Sequence, residues 1–129
     1  MHTIRDVMTT TLLTVEATQT LTEAAAQMHD RGVGAALVLN GERLSGILTE
    51  RDVLRAVATG EVAGTKVGAW MTHDPETVEP GERPGHAAAI MLHGGFRHLP
   101  VLEGDTPIGI VSIRDLMRVV IDDEAPRGA

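Results

Sequence analysis

The chain has 129 residues, 18 acidic against 11 basic side chains for a net charge of −7, no cysteine, and 43% hydrophobic residues of which few are aromatic. Its length suits a domain of ordinary size, and the lack of cysteine excludes a disulfide framework, a cysteine nucleophile and thiolate metal sites. The acidic balance offers no footprint for a phosphate backbone, and one Trp, one Phe and no Tyr leave little for bases to stack on, so nucleic acid is not an expected partner.

The opening Met1-His2-Thr3-Ile4-Arg5-Asp6 lacks the charged-then-apolar pattern of a signal segment, and no run approaches the roughly 18 apolar residues of a membrane span. A cytoplasmic protein away from the membrane is expected. Thr14-Val15 reads as a short strand. Thr20-x-x-Glu23 then makes a capping box for an amphipathic helix with apolar positions at Leu21, Ala24, Ala25 and Met28, and Gly32 is its stop signal. Ala35 to Leu39 and Leu44 to Leu48 read as short buried strands joined by a turn at Asn40-Gly41-Glu42-Arg43. A second helix follows through Val53, Leu54 and Val57, and residues 60–66 form a linker.

The same series then returns. Thr77-Val78 is the short strand, Pro84 suits a first helical turn, and Gly95 stops that helix. Strands at Leu99 to Leu102 and Pro107 to Val111 flank the turn Glu103-Gly104-Asp105-Thr106, and a last helix runs through Leu116, Met117 and Val120. Asp123 to Ala129 is expected to be a polar, disordered tail.

Shifting the sequence by about 63 residues makes the repetition explicit, with about 19 of roughly 51 aligned positions identical and no gap. Met8-Thr9 falls on Met71-Thr72, Thr14-Val15-Glu16 on Thr77-Val78-Glu79, Gly46-Ile47 on Gly109-Ile110, and Arg51-Asp52 on Arg114-Asp115. The expected fold is α+β, or α/β in the broad sense: two β-α-β-β-α repeats at residues 4–59 and 67–122. One such unit of roughly 55 residues buries too little alone, so the two are expected to pack with pseudo-two-fold symmetry.

The chemistry concentrates where a strand meets a helix. Thr49 and Ser112 put a hydroxyl and backbone N–H groups at the positive end of a helix dipole, where a phosphate fits. Asp52 and Asp115, one turn on, are acceptor-only groups able to take both hydroxyls of a ribose. The same Thr/Ser-x-x-Asp spacing is also an ordinary N-cap arrangement. Arg51 and Arg114 suit either phosphate or another protomer on one reading, or a solvated helix face on the other.

Gly46-Ile47-Leu48-Thr49-Glu50-Arg51-Asp52 and Gly109-Ile110-Val111-Ser112-Ile113-Arg114-Asp115, with the Met-Thr pairs and Arg97-His98-Leu99-Pro100-Val101, resemble a tandem pair of cystathionine-β-synthase (CBS) domains, a stand-alone Bateman module. The resemblance spans about residues 4–122. It implies a regulatory module that binds an adenine ribonucleotide (AMP, ADP or ATP), acts on a partner protein and forms a homodimer. It also implies two ligand clefts, each drawing on both repeats. One would use Ser112, Asp115, Ile110, Arg97 and His98 with Val33, Gly34 and the backbone near Leu13; the other Thr49, Asp52 and Ile47 with Phe96 and Arg97. Gly34 and Ala35 stand where the second repeat has Arg97 and His98, so tighter binding is expected at the Ser112/Asp115 cleft. The alternatives are an interaction or scaffolding protein that no longer binds nucleotide, and an S-adenosylmethionine sensor.

The remaining residues add little chemistry. His86, His93 and His98 lack the i, i+4 spacing of a helical metal pair, so no metal site is expected. Met71, Met91 and Met117 read as core, and Trp70 as a filler at the boundary between repeats. Ser45 and Ser112 are the only serines, the glycines form no phosphate loop or dinucleotide fingerprint, and nothing supports catalysis. Neither an enzyme nor a required cofactor is expected.

Overall fold

A computed structural model describes residues 2–124. They form two compact units: one gathers residues 11–75, the other the residues up to 10 with those from 76 onward. Each unit therefore takes in the short helix that opens the other sequence repeat.

In the first unit, β1 (Thr14–Val15) runs parallel to β2 (Ala35–Asn40), which pairs antiparallel with β3 (Arg43–Thr49), and β3 with β4 (Thr72–His73). The sheet order is thus β1-β2-β3-β4. Helix α2 (Leu21–Arg31) starts at Thr20, whose hydroxyl accepts from the Glu23 N–H at 3.1 Å, and ends at Gly32 with φ 64°. Its apolar stripe, Leu21, Ala24 and Met28, is buried with Val38, Leu48 and Val67 in one core. Helix α3 (Glu50–Thr59) and the short α4 (Val67–Trp70) complete the unit. Trp70 is partly buried against this same core and donates its Nε1–H to Thr65 Oγ1 at 3.3 Å, which places it within one unit.

The second unit carries α1 (Ile4–Val7), α5 (Pro84–Gly94), the antiparallel pair β5 (His98–Glu103) and β6 (Thr106–Ser112), and α6 (Ile113–Glu124). Pro84 stands in the first turn of α5, where its missing N–H costs no helical hydrogen bond. Ile4, Val78, Met91, Leu99, Val111 and Leu116 form its core. Residues 123 and 124 close α6, and the rest of the expected tail lies outside the described residues.

Both hairpins turn through a two-residue loop with glycine first, Gly41 at φ 65° and Gly104 at φ 63°. That left-handed first position is the one type II′ hairpins reserve for glycine. A register shift recurs at Val38/Leu39 and Val101/Leu102, so the repeat extends to irregularities.

The opening helices dock alike. Ile4 N–H donates to Glu82 O at 2.8 Å and Arg5 N–H to Pro80 O at 2.9 Å; one repeat on, Val67 N–H donates to Gln19 O and Gly68 N–H to Ala17 O. The Met-Thr pair after each helix then crosses a strand glycine. A Cβ at Gly46 would lie 2.7 Å from Thr72 O and 2.8 Å from Met71 Sδ, and one at Gly109 would lie 2.6 Å from Met8 Sδ. These approaches explain why Met-Thr and the strand glycine repeat together.

Two further expectations fail. Thr77-Val78 is not a strand: Val78 makes only an isolated parallel bridge to Val101. In the first unit Leu37 N–H donates to Leu13 O, whereas Pro100 occupies the matching position and has no N–H to give. Met117 is 50% exposed, because Leu116 and Val119 hold the buried face of α6 and a residue about 100° round the helix points away.

Candidate functional site

Each unit ends a buried strand at a hydroxyl residue that starts a helix. At the start of α3, Asp52 Oδ2 accepts from the Thr49 N–H at 2.9 Å and from the Thr49 hydroxyl at 3.1 Å, and Asp52 is 6% exposed. At the start of α6, Asp115 Oδ2 accepts from the Ser112 N–H at 2.9 Å, while Ser112 Oγ accepts from the Asp115 N–H at 3.1 Å. Asp115 Oδ1 lies 3.7 Å from the exposed Arg118 Nη1. The capping arrangement is therefore present in both units.

The next N–H is engaged as well. Glu50 N–H donates to Gly34 O at 3.0 Å and Ile113 N–H to Arg97 O at 2.8 Å. The expectation of several open N–H groups for a phosphate is corrected accordingly: at α6 the N–H groups of Ser112, Ile113 and Asp115 all have partners in the chain. These bonds also tie the segments before β2 and β5 to the two helix starts.

The first unit thus gathers Gly34, Thr49 and Asp52 at one end of β3. Leu13 and Ile47 are both 5% exposed; Leu13 O is bonded to Leu37 N–H, and Val33 packs on the core. In the second unit Arg97, Ser112 and Asp115 meet through the Ile113 bond, with His98 paired to Ser112 across the hairpin. Ile110 bridges to Thr9, and Phe96 packs on that unit's core with its ring over Gly94.

The two helix starts share a backbone but not a charge. Glu50 lays its carboxyl against Gly34: a Cβ built there would lie 3.3 Å from its Cδ and Oε1 and 3.4 Å from Oε2. Arg97 and Ile113 stand at the corresponding positions of the second unit. Glu50 is the residue that sequence reasoning missed, and the signal was the paired mismatch of Gly34 with Arg97 and of Glu50 with Ile113. Among the described residues no buried side-chain N or O atom lacks a partner, no three His, Cys, Asp or Glu side chains gather as for a metal ion, and no helix is long and apolar enough to cross a membrane.

A family model for the CBS domain matches residues 4–59 and again 67–122. The chain is 35% identical over 117 residues to a CBS domain-containing protein, YhcV, of Bacillus subtilis, covering 90% of this chain and 84% of that one. Its structure resembles that of a putative signal-transduction protein with CBS domains from Burkholderia ambifaria at TM-score 0.84 and 37% identity, over 93% of this chain and 90% of the other. The fold also matches the CBS domain pair of protein MJ0100 in complex with 5′-methylthioadenosine and S-adenosyl-L-methionine, at TM-score 0.88, 21% identity and coverage of 95% and 98%. It likewise matches CBSX2 in complex with AMP, at TM-score 0.82, 24% identity and coverage of 97% and 100%.

Proposed function

The chain belongs to the CBS domain family as a tandem pair, and from that premise we propose that it is a non-catalytic regulatory module that binds an adenine ribonucleotide (AMP, ADP or ATP) and signals its occupancy to a partner protein. The observation that carries this reading is the duplicated helix start, in which a hydroxyl residue and the aspartate three positions on are hydrogen-bonded to each other at the end of a buried strand in both units. A carboxylate offers about four acceptor positions. The caps use two at Asp52 and one at Asp115. Ribose hydroxyls remain within the capacity of both groups, and each charge-assisted bond contributes about 1.5–3 kcal/mol.

Ile47 with Thr49 and Asp52 forms the first half-site in this reading, and Ile110, Arg97 and His98 with Ser112 and Asp115 the second. The fold holds adenosine compounds in the MJ0100 and CBSX2 structures. A ligand that prefers one of two arrangements of the chain shifts the balance between them by its differential affinity, and that shift is the signal. We further infer a cytoplasmic homodimer. The exposed Leu54 and Val57 on α3, Leu92 on α5 and Met117 on α6 supply apolar surface for it. Sedimentation of a monomer alone at micromolar concentration would overturn that part.

A scaffolding module without a ligand is the second reading, favoured by helix starts whose polar groups are already satisfied within the chain. A thermal-shift series with AMP, ADP, ATP, S-adenosylmethionine and NAD separates the two. A ligand at 100 times its Kd stabilises by about 2.7 kcal/mol, which moves the melting point of a chain this size by several degrees. A shift with an adenine ribonucleotide is expected, and no shift with any of the five favours the scaffold.

A further inference from the structure

We propose that Glu50 sets the ligand class at the Thr49/Asp52 helix start, admitting an adenosine compound that is neutral or cationic at its 5′ end and rejecting a 5′-phosphate. The proposal rests on the nucleotide-binding reading above and concerns one of its two half-sites.

The two helix starts share their backbone bonds to the preceding segment and to the cap carboxylate. Glu50 N–H bonds Gly34 O at 3.0 Å where Ile113 N–H bonds Arg97 O at 2.8 Å, and the Asp52 and Asp115 carboxylates accept from the N–H of their caps at the same 2.9 Å. Arg51 is matched by Arg114, so that basic residue makes no difference between them. What differs is the identity of the two residues that this backbone bond joins. The Glu50 carboxyl rests on the bare Cα of Gly34, with both oxygens within 3.4 Å of where a Cβ would be. A side chain at position 34 would press on it. At the corresponding places the second unit has Arg97, a cation, and Ile113, which is uncharged.

One helix start therefore carries an added negative charge, the other an added positive one. A phosphate at the start of α3 would face Glu50 as well as Asp52. At a separation of about 5–6 Å in a partly solvated site, one such like charge weakens binding by about tenfold. A nucleoside is indifferent to that charge, and a sulfonium such as that of S-adenosylmethionine gains from it.

The test uses the full chain carrying Asp115→Ala, which silences the second helix start, with and without Glu50→Gln. Calorimetric titration with adenosine, AMP and S-adenosylmethionine should show AMP binding about tenfold tighter in the Glu50→Gln variant, adenosine within twofold, and S-adenosylmethionine weaker. Unchanged AMP affinity beside measurable adenosine binding overturns the proposal alone, and so does a parallel change in adenosine, which refers the effect to packing. If adenosine binds no variant, nor the unsubstituted chain, the nucleotide reading fails and this proposal with it. A reciprocal pair guards against misfolding of Asp115→Ala: on an Asp52→Ala background, Ile113→Glu should bind AMP about tenfold more weakly than Ile113→Gln. Equal affinities there overturn the proposal.

Discussion

Replacing Gly46 by alanine probes whether the Met-Thr crossing holds the first unit together. The added Cβ would lie 2.7 Å from Thr72 O and 2.8 Å from Met71 Sδ. The sulfur can swing aside, but the carbonyl belongs to β4, which joins β3 through only two residue pairs, Gly46 with His73 and Ile47 with Thr72. Either the strand stays and is overpacked, at about 1–3 kcal/mol, or it lifts and loses hydrogen bonds of about 1 kcal/mol each together with the seat of Met71. Both routes come to about 2–3 kcal/mol. Gly41→Ala is the control: nothing lies within 4 Å of its Cβ, so only its φ of 65° resists, at about 1–2 kcal/mol. Urea denaturation should rank Gly46→Ala below Gly41→Ala by about 1 kcal/mol, with a melting point lower by about 4 °C. Equal stability of the two variants would refute the steric account of the strand glycine.

Asp52→Ala removes both bonds to Thr49 and should destabilise by about 1 kcal/mol, seen as a melting point lower by about 4 °C without any ligand. Asp115→Ala should cost AMP more affinity than Asp52→Ala in calorimetry, since Arg97 stands beside Ser112 and Asp115, and equal losses would contradict the asymmetry. The Thr3 backbone N–H donates to Asp6 at 2.8 Å and holds its carboxyl below the ordinary value of 3.8. A depressed folded pKa gives stability that is present above that value and is lost as pH falls through the folded one. Asp6→Asn should therefore flatten the acid limb of stability below about pH 4, and hydrogen exchange at the Thr3 amide reads it.

The helices and hairpins were legible because their signals are local. Thr20 with Glu23, Pro84 and the glycines at 32, 41, 95 and 104 each act within a turn or two of themselves. The segment exchange was not legible. Ile4 and Val67 are each fully buried, yet in the unit opposite to the repeat they open, and periodicity within a repeat carries no record of where its first helix docks. The lost strand at Thr77-Val78 was legible in principle: Pro100 stands at a central position of β5, where an absent N–H cuts pairing on that side to the single Val78 bridge. Glu50 escaped because exposed charge is read by default as a solvated face.

That default bears on how the two helix starts are to be understood. Capping and ligand binding are usually set against each other as explanations of Thr/Ser-x-x-Asp, yet the caps here leave acceptor capacity on both carboxylates. Each cap also restrains its carboxylate, at Asp52 through two bonds, from the Thr49 N–H and hydroxyl, and at Asp115 through one, from the Ser112 N–H. A ribose meeting an ordered carboxylate avoids the cost of immobilising it, about 0.5–1.5 kcal/mol for a mobile side chain. The cap is thus a means of preorganisation, and its energetic signature differs from that of a site formed on binding. Asp52→Asn, which keeps one acceptor oxygen for the Thr49 N–H, should retain most of the stability and still lose ribose affinity, whereas Asp52→Ala loses both. If Asn lowers stability as far as Ala does while adenosine affinity is unchanged, the carboxylate serves the helix alone.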